Sequence, residues 1–103
     1  MTTKLFTYGL LQVPRIQRQL FKRDVEQETG NVFGYVLSDK LVNGLYKTIK
    51  KSEPEFFIEG TILYLEDKEL EITDKFESVQ AGLYKRIQVG DRLEAYIVGE
   101  KFE

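Results

Sequence analysis

The segment from Phe56 to Leu65 constrains the fold of this chain more than any other part of its sequence. It consists mostly of Phe, Ile, Leu and Tyr, with Gly60 in its interior. A short apolar run of this composition predicts a central strand of a β-sheet. It is well short of the roughly 20 apolar residues that span a bilayer, and no other stretch approaches that length. The sequence therefore predicts a folded core around this strand and no interaction with a membrane.

A strand and a helix are predicted upstream. Lys4 to Tyr8 alternates in its side chains and stops at Gly9, a pattern typical of a strand that ends in a tight turn. Pro14 suits the first position of a helix, because its missing N–H would be unpaired there in any case. We expect this helix to extend over about Pro14 to Lys22.

The middle of the chain predicts a hairpin and a second helix. Asp24 to Glu28 and Asn31 to Leu37 are separated by Thr29-Gly30, which indicates a hairpin or two short strands. Glu66 to Phe76 carries acidic residues near its start and apolar ones at three-residue spacing, which favours a short amphipathic helix.

A tight antiparallel hairpin is predicted near the end of the chain. Tyr84 to Val89 and Arg92 to Val98 flank the two-residue Gly90-Asp91. Because their apolar patterning requires a common core, we expect this hairpin to share one curved, mixed sheet with Leu5 to Tyr8 and Phe57 to Leu65.

Composition points to one domain over residues 1–103, with 42% apolar and 13% aromatic residues. Fifteen basic and 17 acidic residues are interspersed, so no sustained positive face is predicted for nucleic acid. The longest basic run, Lys47 with Lys50 and Lys51, precedes Glu53 and Glu55 and is interpreted as a solvated charged turn.

The chain contains neither Cys nor His. Disulfides, thiolate nucleophiles, thiolate metal sites and Ser-His-Asp triads are therefore excluded, and catalysis would depend on carboxylates, Lys, Tyr or backbone dipoles. Met1 to Leu11 lacks the pattern of a signal peptide, so we expect a cytoplasmic protein.

Two segments could carry chemistry. In Phe6 to Leu11 a strand enters a glycine turn before a helix, where free backbone N–H groups could face an anion or a carbonyl. A purely structural turn is the more common interpretation of such a segment. Glu77 ends the second predicted helix beside Phe76 and Val79, and apolar neighbours raise a carboxyl pKa by desolvating its charged form. A glutamate at a helix end is, however, usually solvated.

The order and spacing of these segments resemble the gamma-glutamylcyclotransferase-like superfamily, also called the avirulence-induced-gene-like fold. Its N-terminal strand reads Phe-x-Tyr-Gly-Ser/Thr-Leu, and Phe6 to Leu11 stands in that place. Its middle strand, Val-x-Gly-x-x-Tyr-x-Leu, is similar to Ile58 to Leu65. Its Leu-Asp-x-x-Glu-Gly and Tyr-x-Arg motifs are similar to Thr73 to Ser78 and to Tyr84 to Arg86. The resemblance covers about Lys4 to Val98.

The resemblance implies an α+β fold, a small mixed β-barrel or curved sheet with short helices. It aligns Glu77 with the acid/base glutamate of the family. The substrate-binding positions that it implies are Tyr8, Gly9, Leu10, Leu11 and Tyr84. The chain departs from the family pattern at Leu10, which replaces Ser or Thr, at Thr73, which replaces Leu, and at Ser78, which replaces Gly.

The activity that the resemblance implies is release of 5-oxoproline from a small gamma-glutamyl amine or peptide, with no metal or organic cofactor. Two alternatives stay open. In one, the departures leave a non-catalytic module that binds a small ligand or a partner on the same fold. In the other, the domain is purely structural, and Glu77 pairs with a surface Lys or Arg.

Overall fold

The computed structural model describes residues 2–39, 41 and 47–98. A short 3-10 turn, Leu10–Gln12, follows the first strand. The strands and helices, in chain order, are β1 (Thr2–Thr7), α1 (Pro14–Phe21), β2 (Gln27–Phe33), β3 (Tyr35–Leu37), β4 (Ile49–Lys51), β5 (Phe57–Glu66), α2 (Asp67–Phe76), β6 (Tyr84–Gly90) and β7 (Leu93–Val98).

Five of these strands form one sheet in the order β2-β5-β1-β7-β6. The pairing of β1 with β7 is parallel, and the other pairs are antiparallel. The prediction that the first strand, the long apolar strand and the final hairpin share a curved, mixed sheet is therefore confirmed. The sheet is open, with β2 and β6 at its edges, so of the two forms considered the curved sheet is observed and a closed barrel is not.

Alternating side chains of β1 divide the core between the two faces of the sheet. Leu5 belongs to the face covered by α1 and α2, which contribute Phe21 and Leu70. Phe6 belongs to the opposite face, where the small β3–β4 sheet contributes Ile49. Both β1 residues are almost fully buried, as expected for the middle strand of a sheet that is covered on both sides. No helix in the described part of the chain is long and apolar enough to cross a membrane.

The break predicted at Thr29-Gly30, either a hairpin or a gap between two short strands, is wrong. Both residues lie inside β2, where Gly30 faces Gly60 of β5 in an antiparallel register that continues for seven residue pairs. A Cβ atom at Gly30 would lie only 2.5 Å from the Ile62 side chain, so the glycine permits a close approach rather than a turn. Gly34, whose φ of 82° is readily adopted only by glycine, instead separates β2 from β3, and β3 pairs with β4 rather than folding back on β2.

The turn of the final hairpin also lies one residue later than predicted. Gly90 pairs with Leu93, so Asp91 and Arg92 form the turn, and a register shift between Gln88 and Gly90 absorbs the difference. The hairpin itself is present as predicted.

Helix α2 begins at Asp67, one residue after the predicted start at Glu66. Glu66 and Glu69 form a capping box, each side chain accepting from the backbone N–H of the other residue. The Glu69 carboxylate also pairs with Arg23, whose Nη2 lies 2.7 Å from Oε1, and this interaction lowers the pKa of Glu69. The start of the helix that carries Glu77 at its far end is thus anchored to the segment after α1.

Candidate functional site

A cavity of about 760 Å³ lies where the end of β1 meets the end of α2. The turn after β1 and the turn after α2 both line it, with β6 and β7 contributing between them. The lining residues are Phe6, Thr7, Tyr8, Gly9, Leu10, Leu11, Gln12, Lys47, Phe76, Glu77, Ser78, Leu83, Tyr84 and Tyr96. All six residues that the resemblance implied as site residues are therefore in one cavity, although they lie far apart in the sequence.

Glu77 is placed by a Schellman motif at the end of α2. The Val79 N–H donates to the Asp74 carbonyl over 3.0 Å, and the Ser78 N–H donates to the Lys75 carbonyl over 3.1 Å. Ser78 occupies the left-handed position of this motif, with φ of 55°. The family usually has glycine there, and this chain forms the same turn with serine. The substitution at Ser78 therefore leaves the turn that carries Glu77 intact.

The Glu77 side chain is mostly enclosed. Burial raises the pKa of its carboxyl to about 7, because the ionised form loses hydration that the surrounding groups do not replace. Apolar side chains of Leu11, Phe76 and Leu83 line the same cavity. Within residues 2–39, 41 and 47–98, no Lys or Arg forms an ion pair with Glu77. The carboxyl is thus poised to exchange a proton near neutral pH.

A second wall of the cavity is the turn that follows β1. Its hydrogen bonds begin with the Gln12 N–H, which donates to the Gly9 carbonyl over 3.1 Å. The amides of Leu10 and Leu11 therefore make no bond within the turn itself. The Leu10 side chain is 51% exposed, whereas that of Leu11 is buried in the core beneath α1 and α2.

Two tyrosines complete this wall. The Tyr8 hydroxyl donates to the Tyr96 carbonyl over 2.6 Å, and burial is the main cause that raises the pKa of Tyr8 far above its usual value. The Tyr84 hydroxyl donates to the Lys47 carbonyl over 2.6 Å. The Tyr8 phenol therefore remains protonated at neutral pH. Each of the two hydroxyls anchors backbone from a distant part of the chain.

Sequence reasoning missed Lys47 and Tyr96 as lining residues. Lys47 was interpreted as part of a solvated turn, and it is exposed. It also lines the cavity, where it is the one cation among the lining residues that the structure describes. Tyr96 lies in the middle of β7, where an aromatic residue predicts only a place in the core. Each reaches the cavity through pairings between distant segments, which no local pattern reveals.

Comparison with known protein families identifies the chain. The model of the family "Gamma-glutamyl cyclotransferase, AIG2-like" matches residues 5–101. The chain belongs to this family. No curated protein sequence matches it significantly.

Solved structures show the same fold. A protein of Arabidopsis thaliana solved in solution matches with a TM-score of 0.77 at 24% identity, over 97% of this chain and 70% of that one. A structure named gamma-glutamyl cyclotransferase matches with a TM-score of 0.76 at 15% identity, over 95% and 67%. A human protein matches with a TM-score of 0.78 at 16% identity, over 96% and 68%. At these identities the likeness establishes the fold alone.

In this member of the gamma-glutamyl cyclotransferase, AIG2-like family, the described residues contain no group of three or more acidic, Cys or His side chains that could hold a metal ion. Among the described residues, the cavity is lined by one partly buried carboxyl, Glu77, by the turn that follows β1, and by one cation, Lys47. Such a set can bind a small zwitterion and transfer a proton.

Proposed function

We propose that this protein releases 5-oxoproline from a small gamma-glutamyl amine or peptide, with Glu77 as the general acid and base. One observation carries the proposal: the carboxyl of Glu77, with a pKa raised to about 7, lies in the same cavity as the backbone turn from Tyr8 to Leu11. A group with this pKa both accepts and returns a proton efficiently near neutral pH.

The proposed reaction is an intramolecular aminoacyl transfer. Glu77 takes a proton from the substrate's α-ammonium group, and the free amine attacks the γ-carbonyl carbon. The new C–N bond closes the five-membered ring, and the tetrahedral intermediate collapses when the original amide C–N bond breaks. The proton held by Glu77 is transferred to the leaving nitrogen, and the C–N bond breaks. The emptied Glu77 carboxylate takes the second proton that the ring nitrogen must lose and passes it to the departing amine, which leaves as an ammonium ion. Charge and protons balance without a cofactor.

The remaining groups of the cavity would hold the substrate in a folded conformation. The nucleophile is tethered to its target, so the main requirement is near-attack geometry, which can contribute several kcal/mol. The amides of Leu10 and Leu11, which make no hydrogen bond within the turn, are candidates to stabilise the developing oxyanion. Lys47 is the candidate to bind a substrate carboxylate.

A panel of gamma-glutamyl amines and gamma-glutamyl peptides, assayed for 5-oxoproline release, tests the proposal. We expect release from at least one member without added metal. If no member of the panel is turned over, the proposed activity is wrong. The alternative, a non-catalytic module that binds a small ligand on this fold, is favoured by Leu10, which replaces the Ser or Thr of the family at the turn. Under that alternative, the same compounds would shift the amide NMR signals of Gly9 to Leu11 without being consumed.

A further inference from the structure

Tyr96 lies between the two halves of the cavity. It follows Ala95 on β7, which pairs in parallel with Phe6 of β1, and β6 pairs with β7 on the other side. Its side chain is only 4% exposed and packs in the core beneath α2, yet the residue also lines the cavity. A buried phenol must find hydrogen-bond partners, and the two that the described residues supply to the Tyr96 hydroxyl are both on α2.

The Tyr96 hydroxyl contacts two consecutive residues near the end of α2. It lies 2.5 Å from Oδ1 of Asp74 and 2.7 Å from Oγ1 of Thr73. Because the Asp74 carboxylate can only accept, the phenol donates its one proton to Asp74. The single proton of the Thr73 hydroxyl is then shared between two acceptors, the Leu70 carbonyl at 2.8 Å and the phenol oxygen at 2.7 Å. Thr73, where the family usually has Leu, is thus fully buried and hydrogen-bonded.

A second interaction holds the same carboxylate. The Oδ2 atom of Asp74 lies 3.2 Å from Nη2 of Arg86 on β6, and Nη1 of Arg86 lies 3.2 Å from Oε1 of Glu94 on β7. Asp74 is therefore tied by its two oxygens to two neighbouring strands. These side chains are only partly exposed, so the pair is screened less than one on the open surface.

The residues held in this way are those that form the turn of Glu77. The Glu77 N–H donates to the Thr73 carbonyl over 2.9 Å, and the Val79 N–H donates to the Asp74 carbonyl over 3.0 Å. The side chains of Thr73 and Asp74 are fixed by Tyr96, and their carbonyls fix the turn. A displacement of either residue would move the backbone of Glu77 with it.

The backbone of Tyr96 holds the other wall. Its carbonyl accepts the hydrogen bond from the Tyr8 hydroxyl over 2.6 Å. We infer that Tyr96 is a positioning residue: its hydroxyl holds the end of α2 that carries Glu77, while its carbonyl holds Tyr8, so that one residue sets the distance between the two walls. The claim that Tyr96 affects catalysis rests on the proposed function, whereas the claim that Tyr96 positions Glu77 does not.

Tyr96→Phe is the direct test, because it keeps the buried ring and removes only the hydroxyl. The matched control is Tyr64→Phe, which removes a phenol that donates to Glu28 over 2.9 Å on the outer part of the sheet, away from this cavity. Two readouts are compared in both variants: the titration of the Glu77 side chain by carbon NMR, and kcat and KM for whichever panel substrate the wild type turns over.

In Tyr96→Phe we expect the end of α2 to loosen and admit water, so that the titration midpoint of Glu77 falls by roughly one pH unit toward its ordinary value. We expect kcat to fall by roughly 10-fold, since displacements of about 1 Å strongly reduce rates, with KM changed much less. Tyr64→Phe should leave the midpoint and kcat at wild-type values.

A Tyr96→Phe protein that is less stable but retains the wild-type Glu77 midpoint would overturn the inference, because it would show a packing role only. If Tyr96→Phe does not fold, Asp74→Asn is measured instead, since it keeps the volume and removes the charge that the phenol and Arg86 share. If the wild type turns over no panel substrate, the proposed function fails, while the Glu77 midpoint still decides the positioning role.

Discussion

The two walls of the cavity are built on different principles. The wall at the end of α2 depends on particular side chains: Glu77 itself, and Asp74 and Tyr96, which hold its turn. The wall after β1 is mostly backbone, a short 3-10 turn whose Leu10 side chain is half exposed to solvent. A backbone wall tolerates a change of side chain that a side-chain wall does not. In this chain the turn forms with Leu10 at the position where the family has Ser or Thr.

The largest expected effect comes from the side-chain wall. Glu77→Gln keeps the shape and most of the hydrogen-bonding capacity of the residue but removes its ability to transfer a proton. If the protein is active, turnover should fall by roughly 10²-fold or more, measured as 5-oxoproline release. Ligand binding should largely survive.

The control for this change is Glu71→Gln on the exposed face of α2, which should be nearly silent. Equal release by wild type and Glu77→Gln would contradict the assignment of the acid/base group.

The same carboxyl should make stability depend on pH. Its pKa is about 7 in the folded chain, against an ordinary value of 4.5, so the folded state binds this proton more tightly than the unfolded state. Stability from this group is therefore fully present below about pH 4.5 and is lost as the pH rises to about 7. Glu77→Gln should be as stable as wild type at low pH and more stable by up to roughly 3 kcal/mol at pH 8.

Urea denaturation of both proteins at several pH values measures this difference. A stability difference that stays constant from pH 4 to pH 8 would show that Glu77 is solvated. Glu71→Gln, which changes an exposed carboxyl on the same helix, is the control for this comparison.

A substitution that displaces β1, the strand that leads into the backbone wall, should mainly lower the stability of the fold. At Gly60 of β5, an added Cβ would lie 2.5 Å from the Thr7 carbonyl oxygen and 2.7 Å from the Phe6 ring. Gly60→Ala must therefore push β1 away from β5, and we expect it to destabilise the fold by roughly 2 kcal/mol.

Gly90→Ala is the matched control, because its Cβ would meet nothing closer than ordinary contacts at 3.6 Å with Leu93. Thermal unfolding compares the two variants. If they lose the same stability, the close approach at Gly60 has no special role.

The smallest expected effect concerns the turn of Glu77. Ser78 adopts a left-handed conformation that costs a residue with a side chain about 1 kcal/mol, a cost partly offset by the greater chain entropy of glycine. Ser78→Gly should therefore stabilise the protein by roughly 0.5 kcal/mol. Ala81→Gly, in the same loop but with negative φ, should shift the urea midpoint the opposite way. A loss of stability in both variants would contradict the strain assigned to Ser78.

Local patterns in the sequence were sufficient for most elements. Alternation that stops at Gly9, a proline at the first helical position and acids at the start of α2 are signals that lie within a few residues of the structure they predict. The ordered motifs then led to the family, and the family model over residues 5–101 agrees with that recognition.

Pairings between distant segments were not predictable in the same way. Thr29-Gly30 carries the composition of a turn, but seven residue pairs with β5 outweigh that local preference, because they satisfy backbone groups along the whole edge of the sheet.

Glu77 has one property that local sequence predicted and another that depends on distant segments. Its place at the end of a helix followed from the sequence, whereas the enclosure that raises its pKa to about 7 depends on residues from β1, β6 and β7. Tyr96 was unremarkable in the sequence because its role is defined by contacts with Asp74 and Tyr8, which lie 22 and 88 residues away. The sequence by itself determined the elements and the chemical groups that this protein possesses. Only the tertiary structure decided which groups share a cavity and which are removed from water, since burial and distance are properties of packed surfaces rather than of neighbouring residues.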